Sequence, residues 1–385
     1  MFLNKVIDRN KQLVDCAVQL SKDFKIRPDT FVVDVDQFKE NSKIMLDEAK
    51  ANDVKLYFML KQLGRNPYLA RILTDMGYSG AVVVDYKEAE VLMQHNIPIC
   101  NVGHLVQTPN YLIEDLIVYG VDYFTVFSIE KIRKINMYAK KHNVVQKLML
   151  RVIDDSDLIY SGQKEGILLK DFEELVKQVK ELENVQIDCL TVFPAILFDS
   201  EKQAFVETEN LNTMKKAELI LNNLGIKISE LNVPSATCTS SIPLIKQLGG
   251  TIGEPGHGLT GTTPGHAVLD LEEKTAVVYV SEVSHNFKNH AYFFGGGFYR
   301  RGHWKNAYVV KAKGEAVIDE VILPDLDSID YYIGLQNNHE IGDIVISAFR
   351  FQMFTSRSDI VLVEGIHSEQ PLTIYRYGPL GERHE

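Results

Sequence analysis

The sequence is poor in cysteine, contains no long apolar segment, and has fewer basic than acidic residues. No CxxC pair occurs among its four cysteines, so their spacing fits neither a disulfide framework nor a zinc site: Cys16, Cys100, Cys189 and Cys238. No stretch approaches the roughly 20 apolar residues that a membrane span requires. The N-terminus also lacks the apolar run and cleavage site of a signal peptide. We therefore expect a cytoplasmic protein.

The charge balance limits the kinds of partner. The formal net charge of −11 argues against nucleic acid or an anionic membrane surface as a partner. Hydrophobic residues make up 45% of the chain, which indicates a globular fold, and 385 residues are too many for one ordinary core. We expect a large domain and a smaller one, with a small-molecule substrate.

Short apolar runs alternate with amphipathic stretches between residues 30 and 270. Nine runs are predicted to be strands: 30–35, 55–60, 80–85, 98–103, 123–128, 147–153, 186–193, 228–234 and 249–253. Alternation of this kind predicts parallel strands with helical crossovers, and about eight such units make a (β/α)8 barrel with its active site at the C-terminal strand ends. An open doubly wound sheet is the alternative, although no GxGxxG motif follows a strand.

The pattern changes after residue 270. Runs such as AVVYVSEVS and GDIVISAF are separated by turn residues and show almost no helical periodicity. The sequence therefore predicts a barrel domain over 30–270 and a mostly-β domain over 271–385, with residues 1–29 as a segment that could pack on the β domain.

Lys61 stands where a strand-like run, KLYFML, ends. A lysine at that end of a barrel strand lies at the mouth of the active site, and partial burial would favour the neutral amine that imine formation needs. A solvated lysine at a strand end is the alternative.

The loop at 249–265, GGTIGEPGHGLTGTTPG, is rich in glycine and proline. Such a loop exposes backbone N–H groups that can bind a phosphate without net positive charge. Glu254 in this loop could pair with a ring nitrogen, and the hydroxyls of Ser235, Thr237, Thr239 and Ser240 could reach the same phosphate. A tight turn, a surface glutamate and a helix cap are the corresponding structural alternatives.

Several of these segments together resemble the fold-type III enzymes that depend on pyridoxal 5'-phosphate (PLP), the alanine racemase and ornithine/diaminopimelate decarboxylase superfamily. The segment 58–73, FMLKQLGRNPYLARIL, is similar to the strand and helix around the PLP lysine. The segment 231–241, LNVPSATCTSS, matches the racemase phosphate-binding serine loop, and 253–261, GEPGHGLTG, resembles the decarboxylase EPGR loop. Overall the chain looks like an alanine racemase-like bacterial branch whose members are uncharacterised.

The resemblance implies a role for each matching position. Lys61 would carry PLP, and Glu254 would meet the pyridine nitrogen. The phosphate would be bound by the two loops, through Ser235, Thr237, Gly256, His257 and Gly258.

The departures from the family narrow the range of reactions that the chain is expected to catalyse. No cysteine follows Cys238, so the decarboxylases' catalytic cysteine is missing, and the end of the chain lacks the His-x-Cys or His-x-Asp metal ligands of the D-serine dehydratase branch; no metal is expected. Alanine racemases have arginine where Glu254 stands, which argues against a strict alanine racemase. His257 replaces the decarboxylase arginine.

Racemisation needs a base on each face of the substrate, and the resemblance implies that the second is a tyrosine from a partner subunit's β domain. Tyr299 and Tyr292 are the candidates, with His285 and His303 as reserves. Arg151 and either Arg300 or Arg301 could bind the substrate carboxylate. The active unit would then be a homodimer with shared sites.

The sequence thus favours a PLP-dependent amino-acid racemase or epimerase. PLP-dependent decarboxylation or aldol cleavage on the same fold is the alternative, followed by a non-catalytic PLP-binding protein and by a barrel enzyme that uses Lys61 without PLP. The substrate and its stereochemistry are left open by the sequence.

Overall fold

The computed structural model describes residues 2–325, 327–368 and 371–384, which group into two compact units. The first unit contains the residues up to Ile44, the short segment Lys61–Asn66 and the residues from His257 onwards. The second contains Met45–Leu60 and Pro67–Gly256.

The α-helices of the described residues are α1 Phe2–Arg9, α2 Lys11–Lys22, α3 Val35–Ala51, α4 Pro67–Met76, α5 Tyr86–Gln94, α6 Ile113–Tyr119, α7 Ile129–Lys141, α8 Leu169–Lys180, α9 Asn210–Asn223 and α10 Ile242–Gln247. The strands are β1 Thr30–Asp34, β2 Lys55–Phe58, β3 Gly80–Val82, β4 Ile99–Val102, β5 Tyr123–Val126, β6 Gln146–Ile153, β7 Ile167–Leu168, β8 Val185–Thr191, β9 Ile196–Asp199, β10 Ala204–Glu207, β11 Glu230–Asn232, β12 Ile252–Gly253, β13 Val277–Phe287, β14 His290–Phe294, β15 Asn306–Val310, β16 Ala316–Ile322, β17 Tyr332–Leu335, β18 Ile344–Ser347, β19 Asp359–Glu364, β20 Thr373–Tyr377 and β21 Arg383–His384.

The second unit is a closed parallel barrel of eight strands. Strands β2, β3, β4, β5, β6, β8, β11 and β12 pair in that order, and β12 pairs back with β2. The short strand β7 adds to the end of β6. The predicted barrel is therefore confirmed, and eight of the nine apolar runs supply its strands.

The remaining run, β1, is not a barrel strand. It lies between β13 and β19, with Val32 opposite both Val278 and Val361, and each of its residues is buried. A run buried on both faces looks the same in the middle of either sheet, so periodicity cannot tell which sheet receives it. The residues from Thr30 to Ile44, which the sequence placed in the barrel, group with the β unit, and so do the residues from His257 to 270.

The first unit is built on a ten-stranded sheet with the order β14-β17-β16-β15-β18-β13-β1-β19-β20-β21. Its pairings are antiparallel apart from β1 with β19. Helices α1 and α2 bury one apolar face in the same cluster as this sheet, where Leu13 and Ala17 are fully buried together with Val278, Val280 and Ile346. The predicted mostly-β domain is confirmed, and the N-terminal helices belong to its core.

The barrel interior is packed. Its central cluster consists of side chains that point inward from the strands: Tyr57, Met59, Val82, Cys100, Tyr123, Met149, Cys189 and Ile252. Next to this cluster, Asp188 accepts hydrogen bonds from the hydroxyls of Tyr123 and Ser229. It also forms an ion pair with Lys147 at 2.9 Å. A filled barrel of this kind leaves its C-terminal strand ends as the place for chemistry.

Among the described residues no helix has both the length and the apolar character needed to cross a bilayer.

Candidate active site

Glu254 follows β12 directly, at the C-terminal end of the barrel. Its side chain is 2% exposed, and its Oε1 accepts a hydrogen bond from Nδ2 of Asn232, the last residue of β11, at 2.8 Å. The backbone N–H of Glu254 donates to the Thr237 hydroxyl at 3.1 Å. The carboxylate predicted to meet a ring nitrogen is therefore buried at the barrel mouth, and its orientation is set by an amide.

His104 lies beside this carboxylate. Its ring is fully buried, with Nε2 3.6 Å from Oε2 of Glu254, and it packs edge-on against Phe193 at 5.4 Å between ring centroids. The carbonyl of His104 accepts a hydrogen bond from Arg151 at 2.9 Å. Sequence reasoning missed both His104 and Asn232. The available signal was a polar residue at the end of a buried strand, because His104 follows β4 and Asn232 ends β11.

Arg151 on β6 is 2% exposed and belongs to a buried ion pair. Its Nη1 lies 2.6 Å from Oε1 of Glu165, and its guanidinium lies 5.4 Å from the ring of Phe193. Burial lowers the pKa of Arg151, while Glu165 and Glu254 act in the opposite sense. The guanidinium is thus held by a carboxylate of the protein itself, an arrangement that the sequence did not indicate.

In the serine loop, the hydroxyls of Ser235 and Thr237 form hydrogen bonds within the protein. Ser235 donates to the Ile196 carbonyl at 2.7 Å and accepts from the backbone N–H groups of Ala195 and Ile196. Ser235 and its neighbour Ala236 have φ values of +85° and +50°. Two consecutive non-glycine residues with positive φ are uncommon and mark a constrained turn. The Ser235 hydroxyl is thus engaged within the protein, and its role in phosphate binding stays a prediction.

The segment that contains Lys61 comes after β2, and the loop that contains Glu254 comes after the neighbouring strand β12. In the parallel pair of β2 with β12, Leu56 lies opposite Gly253, and the Met59 N–H donates to the Pro255 carbonyl at 2.9 Å. A side chain at Gly253 would put its Cβ 2.9 Å from the terminal methyl of Ile245, so the Ile245 side chain would have to shift. Along the chain, Lys61 comes two residues after Met59, and Glu254 comes one residue before Pro255.

Lys61 itself is half-buried and begins a 3₁₀ turn, Lys61–Leu63, in the first unit. In the same unit His257 is buried, and burial above all, followed by the charges of Arg350, Lys61 and His266, holds the pKa of His257 far below its ordinary value. His257 is therefore a neutral imidazole at neutral pH.

Two neighbours fix the His257 ring. Its Nδ1 lies 3.0 Å from the Thr262 hydroxyl, and its Nε2 lies 3.3 Å from the Gln352 amide nitrogen. The Gly258 carbonyl accepts a hydrogen bond from Gly261, which closes the loop after His257. Gln352 was not found by sequence reasoning, because it is about a hundred residues away and carries no motif.

The candidate second bases and surface arginines lie in the β unit. Tyr292, on β14, stacks on His285 at 5.1 Å, whereas Tyr299 is half-buried in a turn closed by a hydrogen bond from Gly302. Arg300 and Arg301 beside it are exposed. These residues remain predictions for the active site.

Within the described part of the chain, no three His, Cys, Asp or Glu side chains are grouped as a metal site. His339, near the end of the chain, pairs with Asp319 at 2.8 Å instead.

Comparison with known proteins identifies the family. Residues 33–264 match the family described as alanine racemase, N-terminal domain, and residues 278–373 match the family described as YhfX-like, C-terminal domain. The chain is 41% identical, over 99% of both chains, to a protein of Escherichia coli (strain K12) described as uncharacterized protein YhfX.

Solved structures share the fold at low identity. Alanine racemase of Clostridium difficile 630 matches with a TM-score of 0.62 and 20% identity, over 91% of this chain and 98% of that one. Diaminopimelate decarboxylase from m. jannaschii matches with a TM-score of 0.67 and 17% identity, over 96% and 92% of the two chains. The chain belongs to the alanine racemase N-terminal domain family, whose members depend on PLP.

Proposed function

We propose that this protein is a PLP-dependent enzyme that acts at the α-carbon of an amino acid, and that its reaction is racemisation or epimerisation. The observation that carries the proposal is the buried carboxylate of Glu254, oriented by Asn232 and directly following β12, the strand that pairs with β2. A lysine amine and a carboxylate are the groups that would bind the aldehyde carbon and the ring nitrogen of PLP.

The donor set of the barrel mouth fits PLP. Asn232 Oδ1 is buried without a partner among the described residues, and the Glu254 carboxylate beside this amide is buried as well. Lys61 would hold the aldehyde carbon, Glu254 the ring nitrogen, and Ser235, Thr237, Gly256, His257 and Gly258 the phosphate. PLP bound in this way supplies an electron sink that acidifies the hydrogen on the α-carbon.

Two bases on opposite faces would complete a racemase. Lys61 would serve one face after releasing the cofactor, and a tyrosine of a second copy, Tyr299 or Tyr292, would serve the other. The half-buried Tyr299 and the exposed Arg300 support a role at a subunit contact, so we propose a homodimer. Arg300 would then bind the substrate carboxylate, a role that Arg151 could take only in competition with Glu165.

Decarboxylation is the second candidate, and Glu254 is the observation that favours it. A carboxylate at the ring nitrogen makes PLP a stronger sink than the arginine found in alanine racemases would. The absence of a cysteine after Cys238 weighs against the decarboxylases' usual proton donor.

Trapping the cofactor tests the proposal. The purified protein is incubated with PLP, reduced with borohydride and digested. We expect the mass of the reduced PLP adduct on the peptide that contains Lys61. Lys61→Ala should remain colourless and take up no mass, whereas Lys87→Ala, at an exposed position of the barrel unit, should behave like the wild type. A wild-type protein that stays colourless and unmodified contradicts the proposal.

The reaction is assigned in a second step. Amino acids are screened for exchange of the α-hydrogen in deuterated water, with carbon dioxide and aldehydes measured in parallel. Exchange and inversion without either product identify a racemase or epimerase, and release of carbon dioxide identifies a decarboxylase.

A further inference from the structure

We propose that His104 and Asn232 are positioning residues for Glu254, with Asn232 fixing the direction of the carboxylate and His104 setting how tightly it holds a proton. This inference rests on the proposed function, because the proton in question is the one that Glu254 would share with the cofactor nitrogen. It concerns residues of the barrel unit alone, all of them near its C-terminal strand ends.

Asn232 is held so that its amide can only donate to Glu254. Its Nδ2 lies 2.8 Å from Glu254 Oε1 and 3.2 Å from the Thr191 hydroxyl at the end of β8. Rotating the amide by half a turn would place its oxygen against the carboxylate, which is electrostatically unfavourable. The fully buried side chain therefore has one orientation, and that orientation fixes Oε1.

The Asn232 amide belongs to a row of buried side chains on β11, β6, β4 and β5. Its Nδ2 lies 3.5 Å from Met149 Sδ, and the same sulfur lies 3.5 Å from Nδ2 of Asn101. The Asn101 oxygen in turn accepts a hydrogen bond from the Thr125 hydroxyl at 2.7 Å. Such a row keeps each amide in register, because every member is buried and moves only with its neighbours.

His104 faces the other carboxylate oxygen. Its Nε2 lies 3.6 Å from Glu254 Oε2, with the two side chains 0% and 2% exposed. A buried carboxylate is costly unless a positive group compensates it, and at this distance an imidazolium acts strongly because little water screens the pair. The ring is held in place by Phe193 and by the bond between the His104 carbonyl and Arg151.

Two other titratable groups interact with Glu254. Arg151 interacts with Glu254 but is paired with Glu165 at 2.6 Å. Cys189 also interacts with Glu254, and burial raises the pKa of this thiol so far that it stays neutral. Neither group therefore takes over the role proposed for His104.

In this proposal, removing either residue makes Glu254 hold its proton more tightly. Loss of the positive charge that a protonated His104 would place beside the carboxylate, or of the hydrogen bond from Asn232, would raise the pKa of the carboxyl group. The pH at which the absorption of bound PLP changes should therefore move upward, by about one pH unit for His104→Gln. Asn232→Ala should move it in the same direction and weaken PLP binding about tenfold.

The experiment compares the full-length PLP-bound wild type with His104→Gln, Asn232→Ala and the control His142→Gln, at a partly exposed surface ion pair. Absorption is titrated against pH, and PLP affinity is measured by fluorescence. If His104→Gln does not fold, Asn232→Ala gives the same readout. The inference is supported if the pH midpoint of the absorption change moves upward in the site variants and does not move in the control.

If the pH midpoint of the absorption change is the same in the folded site variants as in the wild type, with PLP still attached to Lys61, this inference is overturned. The proposed function is then left intact. A wild-type protein without PLP on Lys61 overturns the proposed function instead.

Discussion

Asp29 shows how a single carboxyl group responds to burial in this protein. It accepts hydrogen bonds from the hydroxyls of Tyr279, at 2.8 Å, and Ser358, and its backbone is left-handed, with φ +64°. Burial nevertheless raises the pKa of Asp29 to about 6, because the hydrogen bonds and Arg357 offset only part of the desolvation. The folded protein therefore holds this proton more tightly than the unfolded chain does.

The first prediction is a loss of stability as the pH rises from about 4 to about 6. Below the unfolded pKa both states are protonated; above it the unfolded state alone releases the proton, until the folded pKa is passed. Two pKa units correspond to at most about 3 kcal/mol. Urea unfolding across this range should show the decline.

Asp29→Asn should remove most of that decline. Asparagine keeps an acceptor for Tyr279 and tolerates a left-handed backbone, so the fold is retained. A variant with the same pH dependence as the wild type would show that another group is responsible.

Among the elements, helix α2 depends on one residue at its start. The Asn10 side chain accepts from the Leu13 N–H at 3.3 Å and donates to Asp34 at 2.9 Å and to the Thr275 carbonyl at 3.1 Å. Asn10 therefore caps the helix and also ties it to β1 and to the segment before β13. The side chain is 3% exposed, so water cannot replace these bonds.

The second prediction is that Asn10→Ala destabilises the protein by about 2 kcal/mol or more, since it removes a helix cap together with two buried hydrogen bonds. Hydrogen exchange of the α2 amides should also be faster in this variant than in the wild type. Ser128→Ala is the matched control, because Ser128 caps α7 through a single bond of 3.4 Å to the Lys131 N–H. Equal losses in the two variants would mean that the contacts with Asp34 and Thr275 add nothing.

At the scale of the whole molecule, the β unit is assembled from distant parts of the chain. Strand β1 forms five parallel residue pairs with β19 and four antiparallel pairs with β13. Without β1, both of those strands would present open edges in the middle of the sheet. The C-terminal segment alone therefore cannot complete its own sheet.

The third prediction concerns fragments. Residues 257–385 expressed alone should be aggregated or unfolded, and co-expression with residues 1–44 should give a soluble complex with β-rich circular dichroism. Val32→Pro in the N-terminal fragment should abolish the rescue, because proline cannot donate to a central strand. A C-terminal fragment that folds alone would show that β1 is dispensable.

The sequence by itself determined the strand runs, the order of barrel and β domain, and the motif positions of Lys61 and Glu254. Local apolar patterning encodes which residues are buried, and glycine- and proline-rich loops mark where strands end. These features need only neighbours in the chain, so they could be identified without a structure.

The tertiary structure decided which partners those residues meet. The run at β1 carried no sign of its sheet, because a strand buried on both faces fits the centre of either one. His104 and Asn232 come to Glu254 from β4 and β11, and Glu165 comes to Arg151 across a long loop. Contacts between residues far apart in the chain depend on how the strands close into a barrel, which periodicity does not record.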